Sequence, residues 1–252
     1  MKNLSVKELI LRFEQAQLSM EELQLRFEQT PLKSLGRFIE KELRKERVKR
    51  ALEEDYHRRN AHEDEHRKRG YTLIAGLDEV GRGPLAGPVV CAAVILNPEN
   101  PILGIRDSKK LSEKKREALA EEIKQRALDY SIAVVDEKTI DEINILQATR
   151  LCMLKAVRGL RLVPDALFID ALGIDCEIYQ FSLNQGDDIC NCIGAASIIA
   201  KVFRDHLMQD YDEEYPGYCF STNKGYGTKE HLEALRQLGP CAIHRRSFIG
   251  GR

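Results

Sequence analysis

Apolar positions follow two rhythms along this chain, and the change between them falls at Tyr71. Before it, apolar residues recur at helical spacing among charged ones, so residues 1–70 read as helix, interrupted at Thr30-Pro31 and near Gly36. Ser5-Val6-Lys7-Glu8 and Ser19-Met20-Glu21-Glu22 have capping-box spacing, in which a serine oxygen and a glutamate satisfy the free amides of a helix start. The string LRFEQ occurs at 11–15 and again at 25–29, which gives Leu11/Phe13 and Leu25/Phe27 similar faces. Two copies are too few for a solenoid and predict a small helical hairpin. Lys41 to Arg69 is largely charged, with Val48, Leu52 and Tyr56 at helical spacing, and predicts an exposed helix joining this appendage to a main domain over 71–252.

From Tyr71 short apolar runs take over. Tyr71–Val80 and Val89–Leu96 predict two strands joined as a hairpin across a Gly/Pro turn. Ser112 opens a helix to about Ala127, and Ser131–Asp136 is a third strand. Thr139-Ile140-Asp141-Glu142 has capping-box spacing before a helix reaching Leu160. Ala166–Ile169 predicts a strand ending on Asp170, and Ile178–Leu183 another. A long helix from about Cys192 to Tyr211 has an Ala/Ile-rich, buried first half; a Gly/Tyr loop and a helix over Thr228–Leu238 follow. Strands first, then alternating helices and strands, make an α/β protein with a mixed sheet.

Composition narrows the class. No apolar run approaches the roughly 20 residues that cross a bilayer, and the amino terminus lacks a secretory signal, which predicts a cytoplasmic protein. The 7 cysteines are odd in number and lack C-x-x-C spacing, so Cys190-Asn191-Cys192 reads as small reduced residues. A net charge of −1 does not advertise a nucleic-acid binder, and the basic run Lys33–Arg50 reads first as a solvated helix face.

The chemistry concentrates in LIAGLDEVGRGPLAGP, residues 73–88. Asp78 and Glu79 are adjacent, and successive strand residues point to opposite faces, so both reach one site only if the strand twists or bulges. Gly81 and Gly83 permit such a departure. An acid in an apolar strand needs a cation, several donors or a metal. Asp170 repeats the pattern at the end of LFID, and QGDD offers Asp187 or Asp188. Carboxylates gathered at strand ends repel unless divalent cations intervene, and oxygen-only ligands select Mg2+ or Mn2+. Two such ions roughly 4 Å apart would suit in-line attack at a phosphodiester. Scattered structural acids are the competing reading.

At these residues the chain resembles ribonuclease HII, the type 2 ribonuclease H family. The resemblance rests on GLDEVGRGPLAGPVV, DSKKLSEKKRE (107–117), LFIDA (167–171), GAASIIAKVFRD (194–205), NKGYGTKEHLEALRQLGP (223–240) and IHRRSF (243–248), in family order. It implies a ribonuclease H-like fold, a mixed five-stranded sheet flanked by helices, with a C-terminal helical segment. It also implies cleavage of RNA in RNA/DNA hybrids and incision 5′ to single ribonucleotides in duplex DNA, by two metal ions, leaving 3′-hydroxyl and 5′-phosphate ends. The metal-binding acids carry over to Asp78, Glu79, Asp170 and Asp187, with Asp188 an adjacent competitor. Asp205 is a further acid, read here as a surface ion pair with Arg204. Gly81-Arg82-Gly83 would read the 2′-hydroxyl and a phosphate, and Tyr226 would stack near the sugar at the RNA–DNA junction. The intact GRG separates this family from ribonuclease HIII. Lys109, Lys110 and Lys201 would contact phosphates, with Arg106, Lys224 and Arg245/Arg246 as further cations of that kind.

Two rivals are weighed against this. His62-Glu63-Asp64-Glu65-His66 matches the H-E-x-x-H of zinc proteases, but polar flanks predict exposed charges. A binding protein without catalysis would lack one of the acids, and none is missing. Gln17-Leu18-Ser19-Met20 is weakly similar to clamp-binding peptides of bacterial replication proteins, without their aromatic end. The expectation is a monomer whose N-terminal helices add duplex affinity or bind a replication or repair protein.

Overall fold

The computed structural model describes residues 4–170 and 172–250; Ala171, the end of the LFIDA motif, lies outside them. The chain divides into two compact units, Met1–Asp55 and Tyr56–Arg252.

The first unit holds α1 (Val6–Glu14), α2 (Met20–Gln29) and most of α3 (Lys33–Arg59). Both capping boxes form: Ser5 and Ser19 each accept the amide three residues on, and Glu8 and Glu22 reach back to the cap amides. Leu9, Leu23, Leu35 and Ile39 are its buried core, with Phe13 edge-on to Phe38. The repeated string does present like faces, for Leu11 and Leu25 are exposed while Phe13 and Phe27 pack on that core. The break at Thr30-Pro31 is present, whereas α3 runs unbroken through Gly36. A side chain at Gly36 would start 2.9 Å from the Phe27 ring, so this glycine makes room between helices.

In the second unit α4 (Ala61–Lys68) precedes β1 (Ile74–Val80) and β2 (Val89–Ile95). A 3-10 turn at Ser108–Lys110, α5 (Glu113–Arg126), β3 (Asp129–Val135) and α6 (Glu137–Arg158) follow. Then come β4 (Ala166–Asp170), β5 (Tyr179–Leu183), α7 (Gly186–Ile189) and α8 (Asn191–Glu214), and finally α9 (Phe220–Asn223), α10 (Lys229–Leu238) and α11 (Arg246–Ile249). The five strands lie in the order β3-β2-β1-β4-β5; β2 runs antiparallel to both of its neighbours, β3 and β1, and β1, β4 and β5 run parallel. One face, with Leu77, Cys91, Val135 and Ile169, packs on α6 residues such as Cys152 and Met153. The other, with Val90, Ala92 and Val94, packs on Ala195, Ile198 and Ile199 of α8. Gly76 lets α8 lie against β1, since a Cβ there would fall 2.1 Å from the Cys192 backbone.

Three local expectations are corrected. The cap of α6 is Asp136, which accepts the Thr139 amide at 2.8 Å; an aspartate three residues earlier displaces Thr139 from the capping position. Within α6 Asn144 takes φ 65° and accepts the amides of Leu146 and Gln147, starting the helix afresh. The segment after residue 56 is not an exposed connector: Arg59, Glu63 and His66 are buried, and His66 sits among Phe168, Tyr71, Tyr179 and Phe181.

Candidate active site

The strand ends explain how two adjacent acids serve one place. The ladder between β1 and β2 continues through Asp78↔Ala92, Glu79↔Cys91 and Val80↔Val90 without a bulge. The parallel pairing of β1 with β4 stops at Leu77↔Ile169. Asp78, Glu79 and Asp170 therefore lie just past the last paired residues, where the two strands part. Asp78 is on the α8 face and Glu79 on the α6 face, so they approach this gap from its two sides. Asp170 accepts the Gly186 amide at 3.2 Å, which ties the one-turn α7, and with it Asp187, to the end of β4.

Electrostatics show that these acids sense one another. Burial, then the charge of Glu79, pushes the Asp78 carboxyl well above its usual range, with Asp187 adding to the rise and a hydrogen bond to Ser197 opposing it. Glu79 is raised by burial, against the pull of Arg82 at 3.1 Å, and Asp170 raises it further. Asp187 is raised by burial and then by Asp107 and Asp170, and Lys109 opposes. Asp188 behaves oppositely. It is 40% exposed, and the hydrogen bond from Lys110 at 2.8 Å lowers its pKa.

The donor set fits hard divalent cations. All the donors are carboxylate oxygens, Glu79 Oε2 is buried without a hydrogen-bond partner among the described atoms, and burial makes Asp78, Glu79 and Asp187 resist ionisation unless positive charge joins them. The oxygens are not drawn onto a single point: among the described residues, the trio with ligand atoms all within 4.8 Å is Glu63, Cys190 and Cys192.

The GRG turn is built by two arginines that the sequence reading placed elsewhere. Gly81 has φ +92°, and a Cβ there would meet Arg204 Nε at 2.3 Å and the Pro88 carbonyl at 2.8 Å. Arg204 donates to the carbonyls of Pro88, Ala86 and Lys224. Arg245 donates to those of Gly81, Arg82 and Gly87. Both are fully buried, and burial lowers Arg204 to about 10 and Arg245 to about 9, which leaves both charged at neutral pH. Arg245 is thus a brace and does not reach phosphate. Asp205, expected as a surface partner of Arg204, is buried and binds Lys201 at 2.6 Å and Arg116 at 3.6 Å.

The remaining binding residues are distributed unevenly. Tyr226 is 45% exposed, and the position a Cβ would occupy on Gly83 is 3.6 Å from its ring, so the ring edges the turn. His231 Nδ1 donates to the Tyr226 carbonyl, and its Nε2 meets His244 Nε2 at 3.1 Å. Lys109 and Lys110 stand beside Asp187 and Asp188, whereas Lys201 is engaged with Asp205 and Lys224 donates to the Asp205 carbonyl. Arg246 is an exposed residue of α11. Asp107 and Ser197, beside Asp187 and Asp78, are neighbours of the acids that the sequence reading did not name, and Arg204 and Arg245 were given other roles; each lies inside a quoted motif, which was the available signal.

The protease reading fails on geometry. Glu63 Oε1 accepts the Cys192 amide at 3.0 Å, and His66 is only 1% exposed within the aromatic cluster, so neither opens onto a cleft. Its expected exposure was wrong because apolar partners for this face arrive from β4 and β5.

Among the described residues no helix is long and apolar enough to cross a membrane. The Ribonuclease HII family model matches residues 75–250. Ribonuclease HII of Bacillus subtilis is 46% identical over 248 residues, 98% of this chain and 97% of its own. That of Enterococcus faecalis is 55% identical over 181 residues, 72% of this chain and 71% of its own. The crystal structure of ribonuclease H2 from Pyrococcus horikoshii superposes with a TM-score of 0.60 at 26% identity, covering 70% of this chain and 93% of that one. By descent and by fold, the chain belongs to the ribonuclease HII family of metal-dependent ribonuclease H endonucleases.

Proposed function

We propose that this enzyme incises duplex DNA 5′ to single embedded ribonucleotides as well as cutting RNA in hybrids, leaving 3′-hydroxyl and 5′-phosphate ends. What supports this is that Tyr226 edges the braced GRG turn that follows β1, the strand of Glu79, an arrangement suited to reading a sugar next to a hydrolytic centre. Asp78, Glu79, Asp170 and Asp187 would hold two Mg2+ or Mn2+ ions, which when bound supply Lewis-acid charge and an activated water. The turn would bring backbone groups up to a 2′-hydroxyl, the group that separates RNA from DNA. Tyr226 offers a flat face to the sugar at the RNA–DNA junction, and Lys109 and Lys110 offer charge to phosphates without reading sequence. The 2′-hydroxyl is recognised and does not attack, so the chain needs no pair of catalytic histidines. The test is a duplex with one ribonucleotide, incubated with and without divalent metal. A metal-dependent cut on the 5′ side supports the reading, and intact duplex under all metals overturns it.

Asp187→Asn is expected to reduce turnover on the order of a hundredfold, and Asp188→Asn less than about threefold. Equal losses in kcat would remove Asp187 as the fourth ligand.

The N-terminal unit is assigned a share of duplex affinity through the basic run Lys33–Arg50, acting in a cytoplasmic monomer. A chain starting at Tyr71 would also strip Arg59 and Glu63 from the second unit, so the cut belongs at Tyr56. That shortened chain is expected to bind a hybrid about tenfold more weakly, with a shallower salt slope. Unchanged affinity and slope in a filter-binding series would refute this role.

A further inference from the structure

α7 is a single turn, so its final carbonyls have no helical partner downstream. Arg59, from the end of α3, supplies donors to the Asp187 and Asp188 carbonyls and joins the Gly194 amide, at 3.0 Å, on the Cys190 carbonyl that follows the turn. Its Nη2 donates to the Asp187 carbonyl at 2.8 Å and the Cys190 carbonyl at 3.2 Å, its Nη1 to the Asp188 carbonyl, and its Nε to Asn191 Oδ1 at 3.2 Å. Asn191 in turn donates to the Tyr56 carbonyl at 3.0 Å. One turn further on, Glu63 accepts the Cys192 amide and so caps the start of α8. Room for the guanidinium depends on Gly194, where a Cβ would sit 2.8 Å from Arg59 Nη2 and 3.0 Å from the Asp187 carbonyl.

We propose that Arg59, seated against Gly194 and seconded by Glu63, is a positioning residue for divalent-metal binding, holding the backbone of the Asp187 turn where its carboxylate meets the β1 and β4 acids. The inference rests on the assignment of Asp187 as a metal ligand. A planar fork on three carbonyls fixes the turn's orientation in a way that one point charge does not. Ligand placement by supporting groups is worth about 10–100-fold in metal affinity.

The experiment measures Mn2+ binding to the full chain by electron paramagnetic resonance without nucleic acid, together with thermal unfolding. Arg59→Met is expected to raise the Mn2+ Kd about tenfold and to lower kcat, with hybrid KM little changed. Arg59→Lys should recover only part of this, and Gly194→Ala, which pushes on the guanidinium without removing its charge, should weaken Mn2+ in a folded chain. Variants that lose thermal stability but bind Mn2+ as the parent does overturn the proposal. If Arg59→Met does not fold, the Arg59→Lys and Gly194→Ala titrations decide by the same criterion. Asp187→Asn is titrated alongside. Undiminished Mn2+ affinity there overturns the ligand assignment itself, whereas weakened affinity there with parent-like Arg59 variants overturns the clamp alone.

Discussion

Asp170→Asn is expected to lower cleavage on the order of a thousandfold or more while leaving the fold intact. The substitution is nearly isosteric, and the asparagine oxygen still accepts the Gly186 amide that Asp170 accepts now. What it loses is a full negative charge at the point where β4 ends beside β1, and a hard cation is held by charge more than by shape. Binding of a hybrid in the absence of metal should persist, since the turn, Tyr226 and the lysines are untouched. The measurement is kcat on a singly ribonucleotide-substituted duplex, paired with thermal unfolding of the same preparation. Parent-like turnover would remove Asp170 from the reaction.

Arg245→Met carries the second large effect, this time on stability. The guanidinium is fully buried and its bonds go to three carbonyls of the GRG turn and its continuation. Methionine fills part of the volume but leaves those carbonyls without donors, at about 1–3 kcal/mol for each that water does not reach. A net loss of roughly 3 kcal/mol, or about 6–12 °C in a unit of this size, is expected. The turn should also lose its set, so discrimination between a ribonucleotide-containing duplex and the all-DNA duplex should narrow. A melting temperature within about 2 °C of the parent would show that the carbonyls find other partners.

The two arginines illustrate which parts of the site could be read in advance. A motif such as IHRRSF displays two adjacent cations, and the ordinary destiny of a cation is the surface or a phosphate. Whether Arg245 or Arg246 turns inward depends on which one faces the orphaned carbonyls at Gly81 and Gly87, and those carbonyls come from more than 150 residues away. Asp205 was misplaced for the same reason: its partner in sequence, Arg204, is drawn off to the carbonyls of Pro88 and Ala86, and Lys201 and Arg116 take its place. The capping error at Thr139 is of another kind. There the competing residue, Asp136, was only three positions away, and local spacing allowed either.

Local order, by contrast, was open to inspection in the chain itself. Period and punctuation set the strands within a few residues and placed both N-terminal capping boxes, because those interactions join residues three or four apart. The acids themselves were also visible, because carboxylates inside apolar strands demand a charged partner wherever they end up. Tertiary structure alone decided how adjacent Asp78 and Glu79 approach one gap without a bulge, by ending the parallel pairing of β1 and β4 one residue earlier. It alone turned the charged face of Arg59, Glu63 and His66 inward, since the rings that pack on His66 arrive from β4 and β5 and the groups that bond Arg59 and Glu63 arrive from α7 and the start of α8. Sequence determines what each group requires; the closing of distant segments determines which neighbour meets the requirement.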